Sequence, residues 1–196
     1  EQSIISVDTE TSSLRVLEAD LVGISFSYAS NKACYIPLNH KKVNGLKKEL
    51  VLKKIKPILE DPSIKKVGQN IKFDLNILKK NGIEINAIED TMLISYTLDA
   101  GTNRHNLDTL SEIHLNHKTI SYKDLVGSGK NKLNFQDIQI DKATEYAAYG
   151  ASPFIGKGDN CSDTNAFERK LLVIRKQVFM QRPTKNTVDV SLRKMT

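Results

Sequence analysis

The sequence predicts an α/β fold in which helices flank a mixed β-sheet. Two observations lead to this fold class. Three consecutive segments near the start of the chain are rich in β-branched, aromatic and other apolar residues, as strands are. Helical and strand-like patterns then alternate along the rest of the chain. Three strands in succession followed by such alternation are typical of a sheet that begins antiparallel and continues with parallel strands.

The first three strands are predicted at "SIISVD", "DLVGISFSY" and "KACYIP". The gap between the second and the third, around residues 29–31, is short enough for a hairpin. Residues 44–59 are predicted to form a helix because apolar side chains recur there at helical spacing. Pro57 predicts a kink in that helix, and Asp61 followed by Pro62 predicts its end.

A fourth strand is predicted at "IKKVGQ", followed by a helix over residues 70–81 that ends at Asn81 and Gly82. Two more helices are predicted at "EDTMLISYTL" and "NLDTLSEIHL". The segment "GSGKNK" is predicted to be a polar loop, and "DKATEYAAY" to begin the last helix.

The composition changes at Gly150, and we therefore predict two regions, residues 1–149 and residues 150–196. The first region carries the regular patterns and is almost neutral, so most of the net charge of +6 lies in the second. The second region begins with a stretch rich in Gly, Ser, Asp and Asn that has no periodicity. We predict a divergent basic tail that is poorly ordered.

Several bulk features limit the kind of protein that this chain can be. Its 196 residues suffice for one domain with a sizeable core, and its 39% hydrophobic and 27% charged residues are ordinary for a soluble protein. A start at Glu1 suggests a piece of a longer polypeptide. No apolar run reaches membrane-spanning length, and Cys34 and Cys161 have no metal-ligand spacing. We expect a cytoplasmic protein with reduced thiols; one disulfide is the alternative.

The first chemical motif is the pair Asp8 and Glu10, which directly follows the apolar residues of the first strand. Residues i and i+2 of a strand face the same side, with Cα atoms roughly 6.5–7 Å apart. Two carboxylates so placed suit one hard cation such as Mg²⁺. The alternative is an acidic strand end that faces water.

The second motif lies in "GQNIKFDLNIL", where Asp74 falls near the middle of the apolar arc of the predicted helix. The lysines take the opposite side, so Asp74 is predicted to point toward the core or a cleft. Asn70 lies one turn earlier and can form hydrogen bonds near it. The alternative for Asp74 is a buried side chain that caps a backbone amide.

Three further residue types have mainly structural interpretations. Asp90 precedes an apolar helix and is predicted to be its N-terminal cap. Tyr146, in "EYAAYGAS", is either a core tyrosine or a phenol that orients a water molecule at a metal site. The four histidines show no metal spacing and are predicted to be structural or exposed.

Taken together, "DTETSSL", "VGQNIKFD", "DTML", "RHNLDTL" and "GKNKLNF" resemble the 3′–5′ proofreading exonuclease domains of bacterial DNA polymerases I. That family has the ribonuclease H-like fold and a site of four acids and a tyrosine. The resemblance covers residues 3–149 in unbroken order. It implies a nuclease that hydrolyses the terminal phosphodiester of a single-stranded DNA 3′ end, next to a polymerase domain of the same polypeptide.

The resemblance also implies a role for each site residue. Asp8 would bridge two Mg²⁺ or Mn²⁺ ions, Glu10 would bind the first and Asp74 would support the second. Tyr146 would hold the attacking water. Three residues would contact the DNA, with Leu14 wedged against the terminal base and Tyr122 stacked on a base: Leu14, Asn70 and Tyr122.

One position departs from the family pattern. The third motif is Tyr-x-x-x-Asp, and four residues after Tyr146 this chain has Gly150. The metal site is therefore expected to be incomplete, and the family's last helix is expected to be missing. An insertion and an out-of-frame tail both explain the departure. Gly150 favours one alternative to an impaired exonuclease, a catalytically silent module that holds DNA. A second alternative is a relative that trims RNA 3′ ends, since such enzymes share the acids and the tyrosine.

Overall fold

Six strands form one mixed sheet at the centre of the protein. A computed structural model describes residues 3–29, 32–41, 46–129, 132–151 and 159–160. The strands are β1 (Ser3–Thr11), β2 (Leu21–Ala29), β3 (Lys32–Pro37), β4 (Ile64–Gly68), β5 (Ile88–Asp90) and β6 (Asp159–Asn160). Their order in the sheet is β5-β4-β1-β2-β3-β6. β1, β2 and β3 are antiparallel neighbours, whereas β4, β5 and β6 each pair in parallel. The predicted α/β fold class is thus confirmed.

Six α-helices accompany the sheet among the described residues. They are α1 (Lys48–Leu59), α2 (Lys72–Lys80), α3 (Thr91–Leu98), α4 (Leu107–Leu115), α5 (Tyr122–Val126) and α6 (Ile140–Ala151). A 3₁₀ turn covers Phe135–Asp137. β5, β6, α5 and the 3₁₀ turn were not predicted, since segments of two to five residues are too short to show a period. Pro57 lies inside α1, which ends at Leu59, before Asp61 and Pro62.

The two faces of β1 contact different parts of the molecule. Ile5 and Val7 point into the main hydrophobic core, which also contains Val51 and Ile55 of α1 and Ile77 of α2. The alternate residues, Asp8 among them, point to the opposite face. β1 therefore joins the stable core to the face on which polar side chains gather.

The helix α6 covers that opposite face. Its buried residues Ala143, Ala147 and Ala148 have small side chains, so the helix lies close to β2 and β3. Ala148 packs against Ala33 of β3. The close approach brings Tyr146 and Gly150 of α6 next to β1.

The predicted region 150–196 lies almost wholly outside the described residues. Gly150 and Ala151 end α6, and β6 pairs with Cys34 and Tyr35 of β3. Within the part of the chain that is described, no helix has both the length and the apolar character that crossing a bilayer requires.

Candidate active site

β1 places Asp8 and Glu10 side by side on the face covered by α6. Asp8 pairs with Ser25 of β2 and Glu10 with Gly23, so both acids lie opposite small residues. Directly after Glu10 the pairing with β2 shifts by a bulge, which ends the regular ladder at the site. Glu10 is buried and Asp8 is partly buried. The i, i+2 spacing read from the sequence therefore produces a pair of inward-facing carboxylates.

Asp74 enters the site from the first turn of α2. Its Oδ1 accepts hydrogen bonds from the amide nitrogen of Thr9 at 2.9 Å and from the hydroxyl of Thr9 at 2.5 Å. β4 pairs with β1 only at Ser3 to Ser6, so the edge of β1 at Thr9 is open on that side. Asp74 satisfies the exposed amide there and is buried in doing so. Thr9, which the sequence reasoning passed over, is thus the residue that locks Asp74 to β1.

Burial, and after it the charge of neighbouring carboxylates, raises the pKa of each of the three acids. Burial, followed by the charge of Asp74, raises the pKa of Asp8 to about 8. Burial, followed by the charges of Asp8 and Asp74, raises the pKa of Glu10 well above its usual range. Burial raises the pKa of Asp74 to about 6 against the opposing hydrogen bonds from Thr9. Carboxylates whose charged form is destabilised by burial and by neighbouring negative charge favour a bound cation.

A cleft of about 500 Å³ opens above the acids. It is lined by residues that the sequence singled out: Asp8, Glu10, Leu14, Asn70, Asp74, Tyr122 and Tyr146. Leu14 stands at the edge of the cleft with 90% of its surface exposed. The rings of Tyr122 and Tyr146 lie 6.1 Å apart between centroids. The structure therefore brings all seven predicted site residues to one cleft.

The phenol of Tyr146 stays protonated in this setting. Burial raises its pKa far above the usual range, and the charges of Glu10 and Asp8 raise it further. A protonated phenol can donate a hydrogen bond to a water molecule or a phosphate oxygen.

Asp90 is the N-terminal cap of α3 that the sequence predicted, and it also binds the start of α2. Its carboxylate accepts from the amides of Met92 and Leu93 at the start of α3. It also accepts from the amides of Asn70 and Ile71, each at 3.0 Å, where α2 begins. Asn70 has a left-handed backbone conformation with φ of 55°. One carboxylate thus fixes the starts of two helices, including the one that carries Asp74.

Gly150 lies against Asp8. A Cβ atom built on Gly150 would lie 2.6 Å from Oδ2 of Asp8, closer than real contacts allow. The Asp8 carboxylate therefore occupies the space that any side chain at position 150 would need. A second cavity of about 280 Å³ begins there, and Asp8, Asp108, Tyr146 and Gly150 all line it. Asp108 is a cavity residue that the sequence reasoning missed.

The donor set fits a divalent cation only in part. Carboxylate oxygens are the ligands that Mg²⁺ and Mn²⁺ prefer, and Asp8 and Glu10 present them on one face. Among the described residues, however, no three Asp, Glu, His or Cys side chains form a ready ligand set for one ion. Asp74 has one oxygen engaged by Thr9, and position 150 supplies none. Two carboxylates supplemented by water are within the coordination habits of Mg²⁺.

Comparison with known proteins shows that this chain is similar to nucleases. A family model described as 3′–5′ exonuclease matches residues 1–151. DNA polymerase I of Rhizobium leguminosarum is 44% identical over 170 residues, which cover 76% of this chain and 16% of that protein. DNA polymerase I of Pseudomonas aeruginosa is 40% identical over 157 residues, which cover 77% of this chain and 17% of that protein. The chain therefore spans only a small part of these relatives.

The solved structure of Brucella melitensis NrnC with bound Mg²⁺ has a similar fold. It aligns with a TM-score of 0.56 at 20% identity, covering 95% of this chain and 78% of that one. At this identity the likeness concerns the fold alone.

Proposed function

Since this chain belongs to the 3′–5′ exonuclease family found in DNA polymerases I, we propose that its cleft removes nucleotides from the single-stranded 3′ end of DNA. The observation that carries this proposal is the convergence of Asp8, Glu10, Asp74 and Tyr146 on one cleft. The relatives are much longer than this chain, so we further propose that it works beside a polymerase domain of the same polypeptide.

We propose Mg²⁺ or Mn²⁺ as the cofactor, in a two-metal site. Asp8 and Glu10 would bind the ions directly. Asp74, whose Oδ1 accepts hydrogen bonds from Thr9, would support the second ion. Bound divalent ions supply a hydroxide nucleophile at neutral pH and neutralise charge on the phosphate. Members of the family typically use divalent metals, and the NrnC structure holds Mg²⁺.

The residues at the mouth of the cleft are suited to an unpaired strand. Leu14 is a nearly fully exposed apolar side chain that can wedge against a terminal base. The half-exposed ring of Tyr122 can stack on a base without regard to its identity. Lys132 lies over that ring, 5.6 Å from its centroid, and brings a positive charge into reach of a phosphate. Asn70 also lines the cleft and completes the proposed DNA contacts.

We propose that the activity is weak, because of Gly150. A complete family member has a carboxylate at this position, whereas here Asp8 fills the space. Metal placement would then depend on Asp8, Glu10 and water, and a small misplacement of a nucleophile can lower the rate about a hundredfold. The same observation supports the second candidate, a module that holds DNA without cutting it.

Digestion of labelled oligonucleotides in Mn²⁺ tests these proposals. The full chain should shorten single-stranded DNA from its 3′ end, and Asp74→Ala should abolish this. Glu84→Ala, an exposed acid outside the cleft, is the matched control and should leave the rate unchanged. Binding of DNA without cleavage by every variant would favour the silent module. Faster shortening of RNA than of DNA would favour an RNA-trimming enzyme.

A further inference from the structure

Three buried rings contact one another, and one of them contacts Tyr146 of the cleft. The hydroxyl of Tyr35 is 2.7 Å from Nε2 of His40, and both residues are buried. Their ring centroids lie 5.8 Å apart, and those of Phe135 lie 6.4 Å from Tyr35 and 5.9 Å from His40. All three pairs meet edge to face or nearly so, which is a favourable geometry for aromatic rings. We call these three residues the ring triangle.

The ring triangle touches β2, the strand next to the one that carries Asp8 and Glu10. A Cβ atom on Gly23 would lie 2.1 Å from the hydroxyl oxygen of Tyr35, so the phenol rests on the bare backbone of β2. Gly23 is the register partner of Glu10. The Tyr35 hydroxyl therefore lies in the row of the sheet that holds Glu10.

The ring triangle also touches the helix that carries the tyrosine of the site. Phe135 and Tyr146 have centroids 5.9 Å apart, at an interplanar angle of 56°. Tyr146 in turn contacts Tyr122. Contact thus runs without a gap from the Tyr35–His40 hydrogen bond, through Phe135, to Tyr146 and on to Tyr122.

The loop that carries His40 is fastened to the 3₁₀ turn that carries Phe135. The amide of Lys41 donates to the carbonyl of Gln136 at 3.1 Å. The ammonium group of Lys41 lies 2.8 Å from a carboxylate oxygen of Asp137. Both contacts come from Lys41, the residue after His40, and they hold His40 and Phe135 in one unit.

We propose that Tyr35 and His40 are positioning residues, which through Phe135 fix the ring of Tyr146 over the acids. This inference rests on the proposed exonuclease function. A buried polar pair costs desolvation unless its hydrogen bond is kept, whereas phenylalanine and leucine would fill the same space without that cost. The hydrogen bond fixes the orientation of the Tyr35 ring, and the ring contacts through Phe135 in turn fix the orientation of Tyr146.

Tyr35→Phe tests the proposal, because it keeps the ring and removes the hydrogen bond. In a chain with ¹³C-labelled tyrosines, the ring resonance of Tyr146, assigned with Tyr146→Phe, should move. On single-stranded DNA, kcat should fall about tenfold while KM stays within twofold, as expected for a misplaced reacting group. Ile138→Val, a buried change in the same cluster, is the control for lost stability and should do neither.

A double-mutant cycle decides between positioning and general destabilisation. In a Tyr146→Phe background, Tyr35→Phe should lower kcat less than twofold, since both changes disturb one unit. Additive losses with an unmoved Tyr146 resonance would overturn the proposal. His40→Gln, which keeps a donor near Tyr35, should preserve the resonance, whereas His40→Leu should shift it. If no variant digests DNA, the proposed function fails, and the resonance still decides the positioning role.

Discussion

At the scale of single residues, Gly150 is the position at which the proposed metal site can be tested most directly. Gly150→Asp supplies the missing carboxylate and pushes the Asp8 carboxylate out of the space that it fills. The Asp8 side chain can move, because only its outer oxygen is in the way. We expect Mn²⁺ to bind at least about tenfold more tightly, measured by titration followed by electron paramagnetic resonance.

The control for this change is Gly150→Asn, which has the same size without the charge. It should displace Asp8 equally and leave Mn²⁺ affinity at or below the level of the unmodified chain. Equal gains from Asp and Asn would show that displacement of Asp8, and not a new ligand, strengthens binding.

The carboxylates of Asp8 and Asp74 predict an unusual dependence of stability on pH. Their pKa values in the folded chain are about 8 and about 6, against roughly 4 in an unfolded chain. Between these values the folded state binds more protons than the unfolded state, so the free energy of unfolding falls as pH rises. In the presence of a chelator, the melting temperature should drop from pH 5 to pH 8. Asp8→Asn should flatten the curve, and a melting temperature that climbs over this range would contradict the argument.

At the scale of secondary-structure elements, the start of α2 depends on a residue outside it. Asp90 accepts from the amides of Asn70 and Ile71 and also caps α3. Asp90→Ala should lower the free energy of unfolding by about 2 kcal/mol, since it removes a cap and charge-assisted hydrogen bonds. Urea denaturation measures this. Asp90→Asn keeps one acceptor oxygen and should cost less. Equal losses would mean that the carboxylate charge, not the hydrogen-bond geometry, matters.

Elements with a clear period were predictable, and contacts between distant segments were not. The sequence placed Asp8 and Glu10 on one strand face and Asp74 on an inward helix face, because local spacing determines both. It did not reveal that Thr9 binds Asp74, since 65 residues separate them. Nor did it reveal the hydrogen bond between Tyr35 and His40. Nothing in the sequence distinguishes a buried histidine with a hydrogen-bond partner from an exposed one.

At the scale of the whole molecule, the boundary near residue 150 remains a prediction from composition. The regular patterns and the family match both end there. Limited proteolysis of the full chain should therefore remove the basic segment first and leave a resistant core that ends between residues 150 and 160. Mass spectrometry of the digest locates the cut. Equal resistance of both parts would refute the prediction of a loosely attached tail.

The alanines of α6 have a consequence for how such a site can be lost over evolutionary time. Ala143, Ala147 and Ala148 set the distance between helix and sheet by being small. Ala147→Leu would lift the helix and carry Tyr146 away from Glu10 while every acid stays in place. A survey that checked only the acids and the tyrosine would count such a descendant as intact. The activity therefore depends also on alanine side chains that take no part in the chemistry. Substitution of these alanines can end the activity while every acid is retained.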